Sequence, residues 1–364
     1  MKNPSWPDTK ITKLLNIHLP IIQAPMAGGA TTPELVAAVS NAGGLGSLGA
    51  GYMSADEIKL AIKKIKSLTD KPFSVNLFIP EKHSATAEQI EQARTAIQTS
   101  CTELNFTVGS IKPPYAHSFA EQMNVIIEEK VPIFSFTFGV LSASQLEILK
   151  QNKIILIGTA TSLKEAQLLE EIGVDAIVAQ GNEAGGHRGT FLDKAENGLI
   201  DLSSLISVLV ENIKTPIIAA GGIMNATGII TPLSLGAAAV QMGTAFLCCT
   251  ESGISPLYKK ILLNTSHDNT TLTRAFSGKL ARGIVNKFIT RMQLHEKNIL
   301  DYPIQNALTS SMRKEAYKQN NADFISMWAG QAAYLCKTLS AAQLIEELNS
   351  QVIALLLEQR NKFA

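Results

Sequence analysis

The segment QGNEAGGHRG, residues 180 to 189, sets His187 among four glycines. An imidazole with an ordinary pKa near ~6.5 can take up a proton near neutral pH, and glycines let the backbone carry it against a ligand. His187 is therefore the candidate base. The other histidines, His18, His83, His117, His267 and His295, lack such a setting and read as surface or packing residues. Beside it, Arg188 could balance an anionic substrate or face solvent, and Glu183 could orient the loop or act as an alternative carboxylate base. Two further glycine clusters stand downstream: AAGGI (219 to 223), with Gly221 and Gly222, and QMGT (241 to 244), with Gly243. Glycine permits close approach and leaves backbone N–H groups free to point at an anion, which suits a phosphate. The amides Asn76 and Gln180 can donate to and accept from the edge of a heterocycle, or satisfy each other's neighbours in a core.

These residues acquire a common place once the elements between them are read. Eight short runs rich in Ile, Val and Phe recur: Ile21 to Met26, Gly44 to Ala50, Phe73 to Phe78, Ile133 to Phe138, Ile154 to Thr159, Ala176 to Gln180, Ile217 to Gly221 and Ala238 to Thr244. None alternates strictly, as expected of parallel strands covered on both faces. Amphipathic stretches such as Pro33 to Ala42, Ala55 to Leu68, Ser162 to Ile172 and Leu202 to Ile213 lie between them. The pattern is α/β and predicts a (β/α)8 TIM barrel with an appended helical cap. Active sites of such barrels lie at the carboxyl ends of the strands, and the glycines ending the seventh and eighth strands fall where phosphate loops usually form. GLGSLG, residues 44 to 49, matches the dinucleotide fingerprint by letters. A helix precedes it, however, and its glycines occupy the strand, so it reads as a close approach of backbone to a flat or phosphorylated ligand or to a neighbouring strand.

Residues 79 to 131 form an insertion after the third strand, holding one or two helices and the loop Ile111 to Tyr115. The βα rhythm stops after Thr244, and a periodic helix over Ser340 to Gln359 can return as the eighth barrel helix. Residues 1–246 with 331–364 are thus assigned to the barrel and 247–330 to the cap. Lys112 to Tyr115 and Tyr302-Pro303 fall in segments expected near the mouth, where they could hold a substrate or merely pack. The 32 Lys and Arg against 31 Asp and Glu leave a charge of +1, without the basic excess a nucleic-acid binder needs. Four scattered or vicinal cysteines, Cys101, Cys248, Cys249 and Cys336, read as small buried thiols, so no metal site is expected. No signal-like start or long apolar span is visible, so a cytoplasmic protein, without membrane partners and either monomeric or homodimeric, is expected.

Taken together, PIIQAPMAGG (20 to 29), NAGGLGSLGAG (41 to 51), FSVNLF (73 to 78), QGNEAGGHRG, IIAAGGI (217 to 223), VQMGTAF (240 to 246), SGKLARG (277 to 283) and WAGQ (328 to 331) resemble the nitronate monooxygenase family, formerly called 2-nitropropane dioxygenases, and look class I-like. The resemblance runs over nearly the whole chain. It implies non-covalent FMN in the barrel, contacted by Pro25, Met26, Asn76, Gln180, Gly185, Gly222, Gln241, Met242, Gly243 and Thr244, with Gly221 in the phosphate cradle and His187 as the active-site histidine. It further implies oxidation of alkyl nitronates, plausibly including propionate 3-nitronate, by O2 to carbonyl compounds and nitrite through a flavin semiquinone. The barrel, the AGGLG pattern and the EAGGH loop are shared with FMN- and NADH-dependent enoyl-acyl-carrier-protein reductases, and an NADH:quinone reductase belongs to the same superfamily. QAPMAGG, SGKLARG and WAGQ look more like the monooxygenase. A silent flavin- or phosphate-binding barrel would have no need of a titratable group such as His187 at its rim.

Overall fold

A computed structural model of the chain describes residues 6–363. Eleven strands occur among them: β1 (Ile21–Gln23), β2 (Gly46–Gly49), β3 (Phe73–Phe78), β4 (Ile133–Thr137), β5 (Ile155–Ala160), β6 (Ala176–Gln180), β7 (Gly186–His187), β8 (Ile217–Ala220), β9 (Ala239–Met242), β10 (Thr270–Thr273) and β11 (Ala281–Ile284). Eight of them pair in parallel in the order β1-β9-β8-β6-β5-β4-β3-β2. A bridge between Ile22 and Leu45 joins the two ends of that order, with Gln23 N–H donating to Leu45 O at 2.9 Å and Leu45 N–H to Ile21 O at 3.0 Å. The result is the (β/α)8 barrel, and each of the eight apolar runs supplies one strand.

Ile22, Leu45, Ile133, Ile157, Val178 and Ile218 fill the barrel interior, and the helix Lys10–Leu15 adds Ile11 and Leu15 to the same cluster. A larger cluster lies between the outer faces of the strands and the surrounding helices, which is why these runs are apolar on both faces. The helices start where their caps direct. Thr32 accepts from Leu35 N–H ahead of Pro33, and Ser54 and Glu57 form a reciprocal capping box, each cap being worth about 1 kcal/mol. The carboxyl-terminal helix Ala341–Phe363 buries Ile345, Leu348 and Val352 and packs against helices Pro33–Asn41 and Ala226–Ser234, in the place of the eighth barrel helix.

A separate apolar cluster holds the cap together through Phe276, Phe288, Met292, Leu308 and Met312. It also includes Ala93 and Ile97 of helix Ala87–Ser100, so the first half of the insertion after β3 packs into the cap, whereas its second helix, Phe119–Glu128, packs on β3 and helix Ala55–Leu68 as a barrel crossover. The cap is not purely helical. Strands β10 and β11 form an antiparallel sheet with β7, which comes from the barrel loop after β6. Among the described residues no helix is long and apolar enough to cross a membrane, and no group of three His, Cys, Asp or Glu side chains is placed to hold a metal ion. Cys101, Cys248 and Cys249 are buried, and Cys336 is partly so.

The GLGSLG glycines serve protein packing. A Cβ on Gly46 would lie 2.0 Å from the Val36 carbonyl oxygen of helix Pro33–Asn41 and 2.7 Å from its carbon, and one on Gly44 would lie 2.8 Å from Ile21 O of the neighbouring strand. The backbone approached is therefore that of a helix and of β1, with no ligand needed to explain the motif. Gly46→Ala should force the helix off the sheet and cost about 3 kcal/mol or more. Gly109→Ala, on an exposed loop with nothing within 4 Å of the new carbon, should stay within about 0.5 kcal/mol. Thermal unfolding of the two variants beside the parent checks the contrast, and equal midpoints would refute it.

Candidate active site

The carboxyl ends of the barrel strands and the underside of the cap enclose a cavity of about 440 Å³. Twelve of the residues singled out from the sequence line it: Pro25, Met26, Asn76, Gln180, Gly185, His187, Gly221, Gly222, Gln241, Met242, Gly243 and Thr244. Gly221 and Gly222 stand at φ +139° and +67°, so two consecutive residues bend the backbone through conformations that L side chains rarely adopt. Asn76 Nδ2 donates to Ser135 Oγ at 2.9 Å, which leaves its second amide hydrogen and its carbonyl oxygen for the cavity. Thr244 Oγ1 accepts from Gly330 N–H at 3.0 Å and keeps its own proton to donate. The Gln180 amide is more engaged: Nε2 donates to His187 O at 3.0 Å and Oε1 accepts from Gly189 N–H at 2.7 Å.

That amide is one of several devices holding the loop after β6. Arg188 has no exposed surface; its two terminal nitrogens donate to the carbonyls of Gly181, Gln180 and Gly198, and its Nε has no partner. Burial draws its pKa down to about 10, so it remains charged at neutral pH. It neither faces solvent nor meets the cavity, and its role is to clamp the loop. Glu183 likewise orients the chain, with both carboxylate oxygens 3.1 Å from Leu202 N–H at the start of helix Leu202–Asn212. The buried Glu165 accepts from Thr161, Phe191 and Leu192 N–H groups farther along.

From the cap side, β11 pairs Ala281 with His187 and Arg282 with Gly186, and Leu280 O accepts from Arg188 N–H at 2.8 Å. The SGKLARG motif thus supplies the strand that lays down the histidine. Its first residue also meets the ring, His187 Nε2 lying 2.8 Å from Ser277 Oγ. The Ser277 hydroxyl also lies 3.1 Å from Lys279 O, an arrangement that suits Nε2–H donating to Ser277 with the lone pair kept on Nδ1. Trp328 and Phe138 flank the imidazole with ring centroids at 5.3 and 6.0 Å. Phe138 sits at φ +77°, a strained conformation for a bulky residue, and Lys279 Nζ lies 4.5 Å above its ring. Enclosure drives the His187 pKa down to about 3, with the charges of Lys279 and Arg313 adding to the effect. The ring is therefore neutral across the physiological range.

WAGQ ties the cap to the rim. Trp328 O accepts from Tyr258 Oη at 2.6 Å, Gly330 N–H reaches Thr244, and Gln331 N–H donates to Glu183 O at 3.0 Å. The residues expected near the mouth do not line the cavity. Lys112 is exposed, Tyr115 packs edge-on against His83, and Tyr302 is buried behind the rings of Phe78 and Phe138. In their place the wall carries Tyr52, Tyr258, Arg313 and Tyr317, none of which sequence reasoning had selected. Tyr52 follows the end of β2 and could have been found by the strand-end argument. Arg313 and Tyr317 share one face of helix Ile304–Lys318 at i,i+4 spacing, a signal that names a face without naming what it covers.

The profile of the nitronate monooxygenase family matches residues 8–351. A probable nitronate monooxygenase of Staphylococcus saprophyticus is 45% identical over 345 residues, covering 94% of this chain and 97% of its own length, and one of Staphylococcus aureus is 44% identical over 95% and 98%. Among solved structures, a nitroalkane oxidase from Streptomyces ansochromogenes is 37% identical with a TM-score of 0.87, covering 97% of this chain and 99% of that one. FabK from Thermotoga maritima is 30% identical with a TM-score of 0.78, over 98% and 99%. With the barrel, the cavity and the histidine loop in place, these matches assign the chain to the nitronate monooxygenase family, a family of oxidoreductase enzymes.

Proposed function

We propose that the cavity holds FMN non-covalently and that the protein oxidises alkyl nitronates with O2 to carbonyl compounds and nitrite. The observation that carries this reading is the neutral, enclosed imidazole of His187 in the same wall as a glycine cradle and two amides. The cavity volume falls within the roughly 300–1,000 Å³ usual for small-molecule and cofactor sites. Gly221, Gly222, Gly243 and Thr244 would hold the phosphate through main-chain N–H groups and the Thr244 hydroxyl. Asn76 and Gln180 would meet the edge of the ring, with Pro25, Met26, Gly185, Gln241 and Met242 forming the wall about it. Bound there, the flavin supplies the electron transfer between nitronate and O2.

The chain's own residues do the rest. Trp328 and Phe138 flank the imidazole, and the cap strand β11 pairs with its backbone. Ser277 fixes the ring tautomer, which leaves Nδ1 to take the α-proton of a neutral nitroalkane. A preformed nitronate has already lost that proton, so His187 has no proton to move and only helps to orient it.

His187→Asn should therefore lower kcat/KM for a nitroalkane by about 100-fold or more while changing that for the matching nitronate by less than about 10-fold. Steady-state oxygen uptake on both substrates measures the two ratios, and equal losses would remove the base assignment. Because the base form is the neutral ring, it persists above the depressed pKa and is lost only as pH falls towards it. The acid limb of kcat/KM for nitroalkanes should thus lie well below 6.5, the ordinary histidine value, and a limb at or above 6.5 would contradict the buried neutral base. Mixed with NADH without oxygen, the flavin-loaded protein should keep its spectrum. Rapid bleaching would favour the enoyl reductase reading instead.

A further inference from the structure

The carboxyl-terminal helix Ala341–Phe363 carries two apolar stripes, and the barrel covers one of them. Leu344, Ile345, Leu348 and Val352 are buried against the barrel. Ile353, Leu356 and Leu357 lie on another side of the helix and are 45%, 37% and 55% exposed. Glu346, Ile353, Leu357 and Arg360 follow one another at intervals of seven, four and three residues, which sets them along one line of the helix surface. Single exposed leucines such as Leu192 and Leu294 need no account, but three large apolar side chains on adjacent turns make a patch. The half-buried Trp6 stands beside it, its Nε1 donating to Asn349 Oδ1 of the same helix at 2.8 Å.

The two ends of the stripe bear opposite charges. Glu346 and Arg360 are both exposed and neither has an ion-pair partner among the described residues, whereas their neighbours Glu347 and Glu358 are held by Lys337 and Lys362. Glu346 stands seven residues before Ile353 and Arg360 seven after it, about 10 Å to either side. The stripe is therefore complementary to itself when reversed. A second copy laid parallel would set Glu346 against Glu346 and Arg360 against Arg360; laid antiparallel, it sets each against the other and also opposes the two helix dipoles. Asn349 and Ser350 then stand opposite Leu357 and Leu356, and these shorter side chains leave the leucines room beside the Ile353 of the second copy. A net charge of +1 opposes no such approach. A lipid surface suits the stripe less well, because Glu346, Glu347 and Glu358 flank it where a membrane-bound helix carries Lys and Arg.

We infer that this stripe is a homodimer contact, in which two copies of the chain pair helix Ala341–Phe363 antiparallel about a two-fold axis at Ile353. The apolar side chains supply the attraction, and the two Glu346–Arg360 pairs at the ends of the contact set its direction and register. A contact made by one helix face falls at the low end of stable interfaces, so the dimer is reversible, with a dissociation constant on the order of 10 µM. No residue of the helix lines the cavity, so each copy keeps a complete site and the inference stands apart from the proposed reaction.

The test is sedimentation equilibrium of the full chain at low salt, from about 1 to 200 µM, a range that brackets the expected constant. Wild type should pass from monomer to dimer across it. Leu357→Lys should weaken the dimer at least about 30-fold, because it sets a cation into the apolar contact of both copies. Glu346→Arg and Arg360→Glu should each weaken it about 10-fold, since each places like charges opposite one another twice. Combining the two reversals in one chain should restore the dimer, and so should mixing the two single variants, whose ends are complementary only to each other. All variants should keep the circular dichroism spectrum of the parent, the substituted positions being exposed. A wild type that stays monomeric at the highest concentration would overturn the inference and leave the stripe to another partner. So would a dimer indifferent to Leu357→Lys, which places the contact elsewhere, or single reversals that neither the double variant nor the mixture rescues, which removes the antiparallel register.

Discussion

A guanidinium with no exposed surface fixes the geometry on which the site depends. Arg188 holds the carbonyls at the end of β6 and at Gly198 together, so the chain between them cannot relax into solvent. A loop with three glycines in six residues would otherwise be the most mobile part of the rim. With the backbone clamped on one side by Arg188 and paired on the other with β11, His187 has no freedom left except at its side chain. Ser277 removes that as well. The orphaned Arg188 Nε is the cost of this arrangement, and its side chain lies among carbonyls whose dipoles partly replace a counter-ion.

The same pairing makes barrel and cap a single piece at the site. Strand β7 is only two residues long and belongs by sequence to the barrel, yet its partners β11 and β10 belong to the cap. The WAGQ contacts to Thr244 and Glu183 close a second seam on the other side of the cavity. The motifs SGKLARG and WAGQ, far from any barrel strand, therefore act at the junction where cap meets rim. A cap resting on the barrel through apolar contact alone would leave the imidazole open to water, and its pKa would lie near the ordinary value.

What the sequence makes legible follows from what periodicity can encode. The eight barrel strands could be read because each is buried on both faces and bounded by glycines or helix caps, and the helix over residues 55–68 could be placed to the residue because Ser54 and Glu57 announce its start. Pro25, Met26, Asn76, Gln180, Gly221, Gly222, Met242, Gly243 and Thr244 could be gathered because a barrel sends all its strand ends to one rim, and His187 by its glycine-rich loop, whereas Gly185 and Gln241 follow only from the family resemblance. Strand β7 could not be read, since two residues have no period. Helix Ala87–Ser100 shows an amphipathic pattern, but that pattern does not say that its apolar face meets Phe288 and Met292 and not the barrel. Arg188 looked like a surface or substrate-facing charge because the chemistry of its neighbours is polar; only three-dimensional burial shows that it binds carbonyls. Arg313 lay in a stretch where no strand end marks the site, so nothing in the order of residues tied it to His187.

The electrostatics of the cavity bear on which substrate form the site suits. Lys279 and Arg313 both act to keep a proton off His187, and enclosure acts in the same direction. A base held that weak is poorly matched to removing a proton from a neutral carbon acid, because the field that lowers its pKa also opposes the imidazolium that would form. An anion brought into the cavity offsets that field, strengthening the base as it binds. The positive wall thus favours species that arrive already charged, for which no proton need be removed, and disfavours neutral ones, for which the base must work at its weakest. In the proposed reaction this is a physical reason for the site to accept nitronates more readily than their parent nitroalkanes, and it comes from the Arg313 guanidinium in the cavity wall as much as from the histidine beside it.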